Sequence, residues 1–285
     1  MRTERAAISL RAQHRSPNAQ DQMQPWCANI SEKSTKHLNL PSNIDLKYSL
    51  FGKSAEFVAL SYDPGCKFTD PLWPGEADHV SAAVTVRKSE YVAARSAARR
   101  AMGELGLPLG SIGRSNTGAP VWPAGVIGSL SHGAGDAIAV VGSRSNVLTL
   151  GIDLEAAIPL PEDIASGVIM PEDQVEAANL RLHHPKSWQM VIFSAKEAFY
   201  KAYHQYTAEF VDFGAIFLRF NLDEAGYSGD FHCIPRDDRL NSRGLLQHLS
   251  GRWLVHSGKI YTAMLASAAI ENPTATTVGM SPHVA

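Results

Sequence analysis

Two segments of the chain repeat apolar residues every three or four positions, as one face of an α-helix requires. Residues 90–105 and residues 188–203 show this spacing, which predicts two amphipathic helices. The apolar positions are Tyr91, Val92, Ala94, Ala98 and Met102 in the first helix, and Trp188, Val191, Ile192, Ala195, Phe199 and Ala202 in the second. Ser187 is a candidate N-cap for the second helix.

Shorter segments alternate apolar and polar residues or are rich in aromatic residues, which predicts β-strands. The predicted strands are residues 137–142, 147–155, 215–221, 227–234, 251–255 and 259–264, and residues 108–122 are rich in turn formers. Each half of the chain then holds a helix and a small, mainly antiparallel sheet, an α/β (α+β) fold. We expect an N-terminal half at 41–146 and a C-terminal half at 147–270, with a flexible extension at 1–40 and a flexible tail at 271–285.

Composition narrows the class of protein. With 45% hydrophobic and 19% charged residues, the 285-residue chain is predicted to be globular. Its net charge of -2 argues against a nucleic-acid or anionic-membrane partner, so a site for a polyanion must be local. The three cysteines are far apart and odd in number, which argues against a disulfide scaffold or a zinc site. We therefore expect a cytoplasmic protein. The apolar stretch 261–270 is too short to cross a membrane, and the N-terminal residues lack the apolar core of a signal peptide.

Two carboxylates end the strand predicted at 147–155. Strand alternation places Asp153 and Glu155 on the same side, where their oxygens suit a hard cation such as Mg²⁺. An exposed strand end that happens to be acidic would have the same pattern. A third carboxylate must come from elsewhere in the chain.

The second predicted helix is the best source of that carboxylate. Glu197 and Lys201 lie four residues apart on one face, and Lys196 lies about 100° round from Glu197. The alternative is a capping box from Ser194 to Glu197 together with an ordinary surface ion pair between Glu197 and Lys201. Because the apolar periodicity already begins before Ser194, we expect the helix to run through it.

Residues 128–133, Gly-Ser-Leu-Ser-His-Gly, are predicted to form a loop that lets backbone amides approach a phosphate, with Ser131 and His132 within it. The chain contains no GxGxxG, no GxxxxGK[ST] and no GxSxG sequence. Rossmann, P-loop and α/β-hydrolase sites are therefore disfavoured.

Three motifs in order, at residues 122–132, 151–155 and 193–201, resemble those of a 4'-phosphopantetheinyl transferase. The resemblance is to the monomeric type that serves siderophore, non-ribosomal peptide and polyketide synthases. It implies two pseudo-symmetric α/β halves with coenzyme A in the cleft between them. It also implies transfer of the phosphopantetheine arm to a serine of an apo acyl or peptidyl carrier domain, with release of 3',5'-ADP.

The resemblance also assigns residues. Asp153, Glu155 and Glu197 would hold magnesium, Glu197 would also be the base for the carrier serine, and Lys196 and Lys201 would face the phosphates. Ser131 and His132 would contact the nucleotide end of coenzyme A.

Further basic residues are candidates for the coenzyme phosphates, since a chain of this charge needs a local cationic cluster. In related enzymes a basic residue precedes a Gly-x-Pro segment, whereas this chain has Thr117, and Arg114 is the candidate replacement. Arg87 and Arg95 resemble basic positions flanking the first helix, with a solvated helix face as the alternative.

Two other functions use similar residues. A magnesium-dependent nucleotide phosphodiesterase or phosphatase would use the same acids and lysines with water as the nucleophile. A catalytically silent carrier-binding protein is disfavoured, because no acid or base of the three motifs is missing.

Overall fold

The structure is a computed structural model that describes residues 41–241 and 244–268. The expected flexible segments at 1–40 and 271–285 lie outside the described residues. Within the described ranges, no helix combines the length and the apolar character needed to span a bilayer.

The helices and strands follow the predicted order with several additions. The α-helices are α1 (Asn43–Phe51), α2 (Thr85–Glu104), α3 (Glu162–Val168), α4 (Pro171–Glu176), α5 (Ala178–His183), α6 (Trp188–Thr207) and α7 (Asp238–Asn241). Short 3₁₀ helices occupy Gly52–Phe57, Ala77–Val80, Phe213–Ala215 and Leu246–His248. The strands are β1 (Val58–Asp63), β2 (Gly113–Arg114), β3 (Pro120–Val121), β4 (Val126–Gly133), β5 (Asp136–Ser143), β6 (Val147–Ala156), β7 (Ile216–Leu222), β8 (Ser228–Pro235), β9 (Ser250–His256) and β10 (Lys259–Ser267).

The strands form two main antiparallel sheets. The first has the order β1-β5-β4 and the second the order β6-β10-β9-β8-β7, while β2 and β3 make a separate two-stranded ribbon. All strand pairs run antiparallel. The prediction of a mixed fold with small antiparallel sheets is confirmed.

The sheets pack face to face, and each long helix covers an outer face. Leu60 and Val140 of the first sheet share a core with Ile152 and Tyr261 of the second, and α1 closes this core at one side. Alternate residues of the first sheet pack under α2. The outer face of the second sheet packs under α6. The layers are therefore helix, sheet, sheet and helix, with apolar surface buried in three places.

The alternation of residues in Gly-Ile-Asp-Leu-Glu, at 151–155 of β6, matches the two faces of this strand. Ile152 and Leu154 point into the core between the sheets, so the alternate residues face α6. A Cβ atom on Gly151 would lie 2.0 Å from the carbonyl oxygen of Ala198. Glycine at this position lets α6 come close to the strand, which brings the carboxylate of Asp153 under the helix.

One local prediction was wrong. Residues 128–133 are not a loop but most of strand β4, in which Ser131 pairs with Ile138. The small polar residues hide the strand signal, because the stretch has little of the β-branched and aromatic content on which that signal depends. The turn comes just afterwards, where Ala134 and Gly135 both have positive φ.

The start of α6 agrees with the predicted helix at Trp188, although Ser187 makes no side-chain capping bond. The helix runs through Ser194, whose hydroxyl lies 2.9 Å from the hydroxyl of Thr262 on β10. The capping-box alternative is therefore wrong. Helix α1 and strand β1 carry no clear periodicity in the sequence and were not predicted.

Candidate active site

Asp153 is the centre of a buried polar cluster between β4, β6 and α6. Its Oδ1 accepts hydrogen bonds from Ser131 Oγ at 2.8 Å and from Lys201 Nζ at 2.7 Å. The same ammonium group donates to the carbonyl oxygen of Ile152 at 2.8 Å. A fully buried carboxylate needs such compensation, and here the lysine of the third motif neutralises the acid of the second.

Glu155 lies two residues further along β6 and is only half-buried. Strand β4 passes close beside it: a Cβ atom on Gly133 would lie 2.2 Å from the carbonyl oxygen of Leu154 and 3.4 Å from Glu155 Oε2. Glycine at the end of β4 therefore allows the two strands to approach where the acid pair emerges.

Glu197 lies one turn before Lys201 on α6, and 7% of the residue is exposed. It lines a groove with Tyr200 of the same helix and with Val211 and Phe213 of the following segment. Burial, reinforced by the charge of Glu197, raises the pKa of Tyr200 to about 12. The tyrosine hydroxyl therefore remains protonated beside the carboxylate.

A closed three-ligand metal site is not formed by the described residues. In ranges 41–241 and 244–268, no three His, Cys, Asp or Glu side chains are grouped so as to hold a metal ion. The convergence of Asp153, Glu155 and Glu197 on one ion stays a prediction. The charge of Asp153 is instead balanced by the ammonium group of Lys201. The oxygen donors of the acid pair still match the chemistry that Mg²⁺ prefers.

Lys196 was expected to face the phosphates of coenzyme A, but its side chain is enclosed in the protein. The residue is 1% exposed, and its Nζ donates to Asp173 Oδ2 at 2.6 Å and to the carbonyl oxygens of Val168 and Phe213. Burial lowers its pKa, although Asp173 opposes that shift. Lys196 lies about 100° around the helix from Glu197 and therefore points toward the C-terminal segments. There its side chain connects α6 to the segments around α4. The assignment of Lys196 to the phosphates is corrected accordingly.

His132 lies next to Ser131 on β4 and belongs to a second polar cluster. Its Nε2 is 2.6 Å from Arg87 Nη1, and its Nδ1 is 3.3 Å from Glu90 Oε2. Arg87 Nη1 also lies 3.3 Å from Nδ1, so the guanidinium group, which only donates, lies beside both ring nitrogens. Arg87 also pairs with Glu90 at 3.3 Å. Glu90 was not singled out from the sequence, although it stands three residues after Arg87 on α2.

Arg95 and Arg114 occupy different environments. Arg95 is 5% exposed, its Nε donates to the carbonyl oxygen of Ile112, and its Cζ lies 3.2 Å from the centre of the Tyr91 ring. Burial lowers its pKa to about 10, which leaves it charged at neutral pH. Arg114 is exposed on the β2-β3 ribbon and donates to the carbonyl oxygen of Gly118 at 3.2 Å.

The two clusters are joined by strand β4, because adjacent residues of a strand point to opposite sides. Ser131 reaches the acid of β6, and His132 reaches α2 of the N-terminal half. Ser129 Oγ accepts from the backbone N–H of Ile152. Gln205 of α6 donates to the carbonyl oxygen of Gly128 on β4 at 2.7 Å and accepts from the backbone N–H of Leu150 on β6 at 3.2 Å. Sequence reasoning missed Ser129 and Gln205, since nothing local marks a side chain that joins two strands.

Comparison with known proteins agrees with this arrangement. Residues 75–142 match the 4'-phosphopantetheinyl transferase N-terminal domain, and residues 149–250 match the 4'-phosphopantetheinyl transferase superfamily. The boundary between the matches falls near the start of β6, where the second sheet begins. The matches thus cover the segments that carry both polar clusters.

Individual relatives show the same likeness. The chain is 35% identical over 196 residues to the 4'-phosphopantetheinyl transferase PptT of Mycobacterium tuberculosis, covering 67% of this chain and 85% of that protein. It is 35% identical over 198 residues to the 4'-phosphopantetheinyl transferase Svp of Streptomyces mobaraensis, covering 69% and 79%. Enterobactin synthase component D of Escherichia coli K12 is 32% identical over 188 residues, covering 64% and 82%. The chain belongs to the 4'-phosphopantetheinyl transferase family, whose co-substrate is coenzyme A.

Proposed function

We propose that this protein transfers the phosphopantetheine arm of coenzyme A to a serine hydroxyl of an apo acyl or peptidyl carrier domain. The main support is the contact between the second and third family motifs, in which Lys201 of α6 and Asp153 of β6 meet at 2.7 Å. Cationic and anionic groups at one point suit a pyrophosphate whose charge is redistributed during cleavage.

The reaction forms a bond between the serine oxygen and the phosphorus next to pantetheine, and it breaks the bond from that phosphorus to the bridging oxygen. Glu197 receives the serine proton, and 3',5'-ADP leaves with the bridging oxygen. Its place in the third motif supports this role, because Glu197 lies one turn before Lys201 on α6, within the helix that packs against Asp153. Lys201 lies on the same helix face, where its ammonium group can approach the phosphates.

Magnesium fits the acid pair of β6 by the chemistry of its oxygens. Mg²⁺ is usually held by one or two carboxylates together with substrate phosphates and water, so a cage of three protein ligands is not required. We propose Asp153 and Glu155 as its ligands, with Glu197 as a third ligand once coenzyme A is present. When bound there, the ion would neutralise charge on the pyrophosphate.

Asp153→Ala tests the metal ligand. We expect turnover at ordinary magnesium concentrations to be lost, with partial recovery when magnesium is raised, because the remaining carboxylate binds the ion more weakly. The measurement is the initial rate across a magnesium titration, with chelated wild-type protein as the reference. A variant whose rate and magnesium dependence match wild type would contradict the assignment.

The nucleotide end of coenzyme A is proposed to lie against the second polar cluster. Arg87 supplies a guanidinium group beside His132 at the end of β4, Arg114 supplies an exposed guanidinium group, and Arg95 adds a buried positive charge on α2. Ser131, whose hydroxyl is turned to Asp153, is proposed to contact the coenzyme through its backbone.

The decisive experiment combines the protein with coenzyme A, magnesium and an apo carrier domain, and follows the carrier by intact mass. We expect the mass to rise by one phosphopantetheine arm and 3',5'-ADP to appear in equal amount. A carrier whose serine is replaced by alanine is the control. Coenzyme A consumed at the same rate without a carrier would instead favour the phosphodiesterase alternative, which the comparisons do not support.

The relatives named above support siderophore or related secondary-metabolite synthesis as the setting, and we propose that setting for this chain. We further propose a cytoplasmic monomer. The two sheets and both clusters are supplied by one chain, and coenzyme A is an intracellular substrate.

A further inference from the structure

A polar cluster closes one end of the core between the two sheets. Asp136 is buried, and its Oδ2 accepts hydrogen bonds from the Tyr62 hydroxyl and from Lys259 Nζ. Its Oδ1 accepts from the backbone N–H of Gly65 at 2.9 Å. The Tyr261 hydroxyl donates to the Tyr62 hydroxyl at 3.2 Å. Burial and the bond to Asp136 raise the pKa of Tyr62 strongly, so its hydroxyl remains protonated and can donate.

The cluster crosses from one half of the molecule to the other. Tyr62 and Asp136 belong to the first sheet, whereas Lys259 and Tyr261 belong to β10 of the second. The ion pair between Asp136 and Lys259 therefore connects residues that lie 123 positions apart.

Strand register places this ion pair next to the candidate active site. Asp136 pairs across β4-β5 with Gly133, the neighbour of His132. Lys259 pairs across β10-β6 with Ala156, the neighbour of Glu155. One end of the ion pair thus holds the strand end that carries His132, and the other holds the strand end that carries the acid pair.

Stability alone does not account for an ion pair between a buried carboxylate and a partly buried ammonium group at this position. Well-packed apolar residues of similar volume are often as stabilising as a buried ion pair. An ion pair is more directional than an apolar contact. An ammonium group bound to one carboxylate oxygen fixes the distance between the two strand ends, whereas an apolar contact would allow that distance to vary.

We infer that the Asp136–Lys259 ion pair is a positioning device that sets the spacing between His132 and the acid pair of β6. It thereby aligns the nucleotide end of coenzyme A with the group that is transferred. This inference rests on the proposed function. Asp136 and Lys259 themselves act through the strands and are not proposed to contact either substrate.

The test compares Lys259→Met with wild type in the carrier assay. We expect KM for coenzyme A to rise about tenfold while kcat falls less than about threefold, because a misaligned cleft weakens the grip on a substrate that spans it. Lys259→Arg, which keeps the charge, should restore most of the affinity. In a double-mutant cycle, Asp136→Asn combined with Lys259→Met should raise KM little beyond the larger single effect.

A matched control separates positioning from loss of stability. Leu218→Ala removes a buried side chain from the core under α6, away from the junction of the sheets, and should lower Tm without changing KM. If Lys259→Met folds poorly, Asp136→Asn supplies the same comparison, since it retains the shape of the side chain and removes its charge.

An unchanged KM in a folded Lys259→Met or Asp136→Asn protein would overturn the inference, as would an equal rise of KM in Leu218→Ala. Failure of the proposed function looks different. In that case wild-type protein itself transfers nothing to the carrier.

Discussion

Lys196 and Lys201 stand five residues apart on one helix and have opposite environments. Lys196 is enclosed with Asp173 in the C-terminal half, whereas Lys201 reaches Asp153 beneath the cleft and remains partly exposed. Both are lysines of one motif, so residue type does not separate them. Their acidic partners distinguish them, because a buried ammonium group needs a carboxylate beside it, and the position on the helix decides which carboxylate that is. Lys196 therefore ties α6 to the C-terminal segments, and we propose Lys201 as the lysine that contacts phosphate.

Glu197→Gln tests the general base. We expect kcat to fall about 100-fold or more while KM for coenzyme A changes little, because the amide keeps the shape of the side chain and cannot accept the serine proton. The measurement is steady-state kinetics with a carrier domain. Glu104→Gln, an exposed position at the end of α2, is the control and should behave as wild type. Near-normal turnover in Glu197→Gln would contradict the assignment.

Arg95→Ala tests recognition of the 3'-phosphate. We expect kcat/KM for coenzyme A to fall about tenfold, and that for 3'-dephospho-coenzyme A to fall less, because a charge-assisted contact contributes about 1.5–3 kcal/mol. Tm should also fall, since the guanidinium group is buried against Tyr91 and Ile112. Arg100→Ala, on the outer face of the same helix, is the matched control. Equal losses for both substrates would mean that Arg95 acts only in holding the fold.

At the scale of elements, the site depends on how closely α6 lies on β6 and how closely β4 lies beside β6. Gly151 permits the first approach and Gly133 the second, because a side chain at either position would meet a backbone carbonyl. The hydroxyl of Thr149 donates to the carbonyl oxygen of Ala202 at 2.6 Å, which fixes the helix along the strand. Helix and strands thus carry the reactive side chains to one place through contacts between backbones.

Gly151→Ala tests this packing. The added methyl group would lie 2.0 Å from the carbonyl oxygen of Ala198, so α6 must move away from β6. We expect the free energy of unfolding to decrease by about 1–3 kcal/mol or more, and activity to fall with it. Chemical denaturation and the carrier assay measure the two effects.

Gly103→Ala is the control for that variant, since nothing lies within 4 Å of the position that its methyl group would take on α2. It should stabilise the protein by about 0.4–1 kcal/mol through a smaller unfolded-state entropy. A Gly151→Ala protein as stable as wild type would show that α6 tolerates the displacement.

In the whole molecule, the two main sheets are joined along β4 and β6. Ser129 and Gln205 bridge these strands by hydrogen bonds, and the core between the sheets is buried on both sides. The core between the sheets lies next to β4 and β6, and His132 and the acid pair lie near the ends of these two strands. Buried histidines elsewhere make the stability of this assembly depend on pH.

His184 tests that dependence. Its Nε2 donates to the carbonyl oxygen of Gly226 at 2.7 Å, and burial lowers its pKa below the usual 6.5. Below about pH 6.5 this histidine takes up a proton more readily in the unfolded chain than in the folded chain. Its contribution to the free energy of unfolding is therefore complete above about pH 6.5 and is lost as the pH falls below that value. His204, whose pKa burial also lowers, adds to the same slope. We expect the free energy of unfolding to decline from pH 7 to pH 5.

The measurement is denaturant unfolding at intervals across that range. His184→Gln should be less stable at pH 7 and should show a shallower decline toward pH 5, because one of the two titrating groups is gone. His79→Gln, at an exposed position, should keep the wild-type slope. A slope unchanged in His184→Gln would mean that other groups govern the acid response.

Features that depend on neighbours along the chain can be predicted from the order of the amino acids alone. The apolar period of α6, the alternation of β6 that places Asp153 and Glu155 on one side, and the order of the three motifs are all local patterns. They predicted both long helices, most strands and the family. The strand at 128–133 escaped because its small polar residues resemble a turn, and pairing with β5 decides its conformation.

Which side chains meet depends on the packing of segments that are far apart in the chain. The partner of Lys201 is 48 residues away and that of Lys259 is 123 away, and no periodicity encodes such pairs. Burial is likewise a property of the packed molecule. The charge balance at Asp153 and the enclosure of Lys196 therefore depend on how α6 packs against its sheet. Chain-local patterns specify which face a side chain is on, whereas packing between sheets and helices specifies what that face meets.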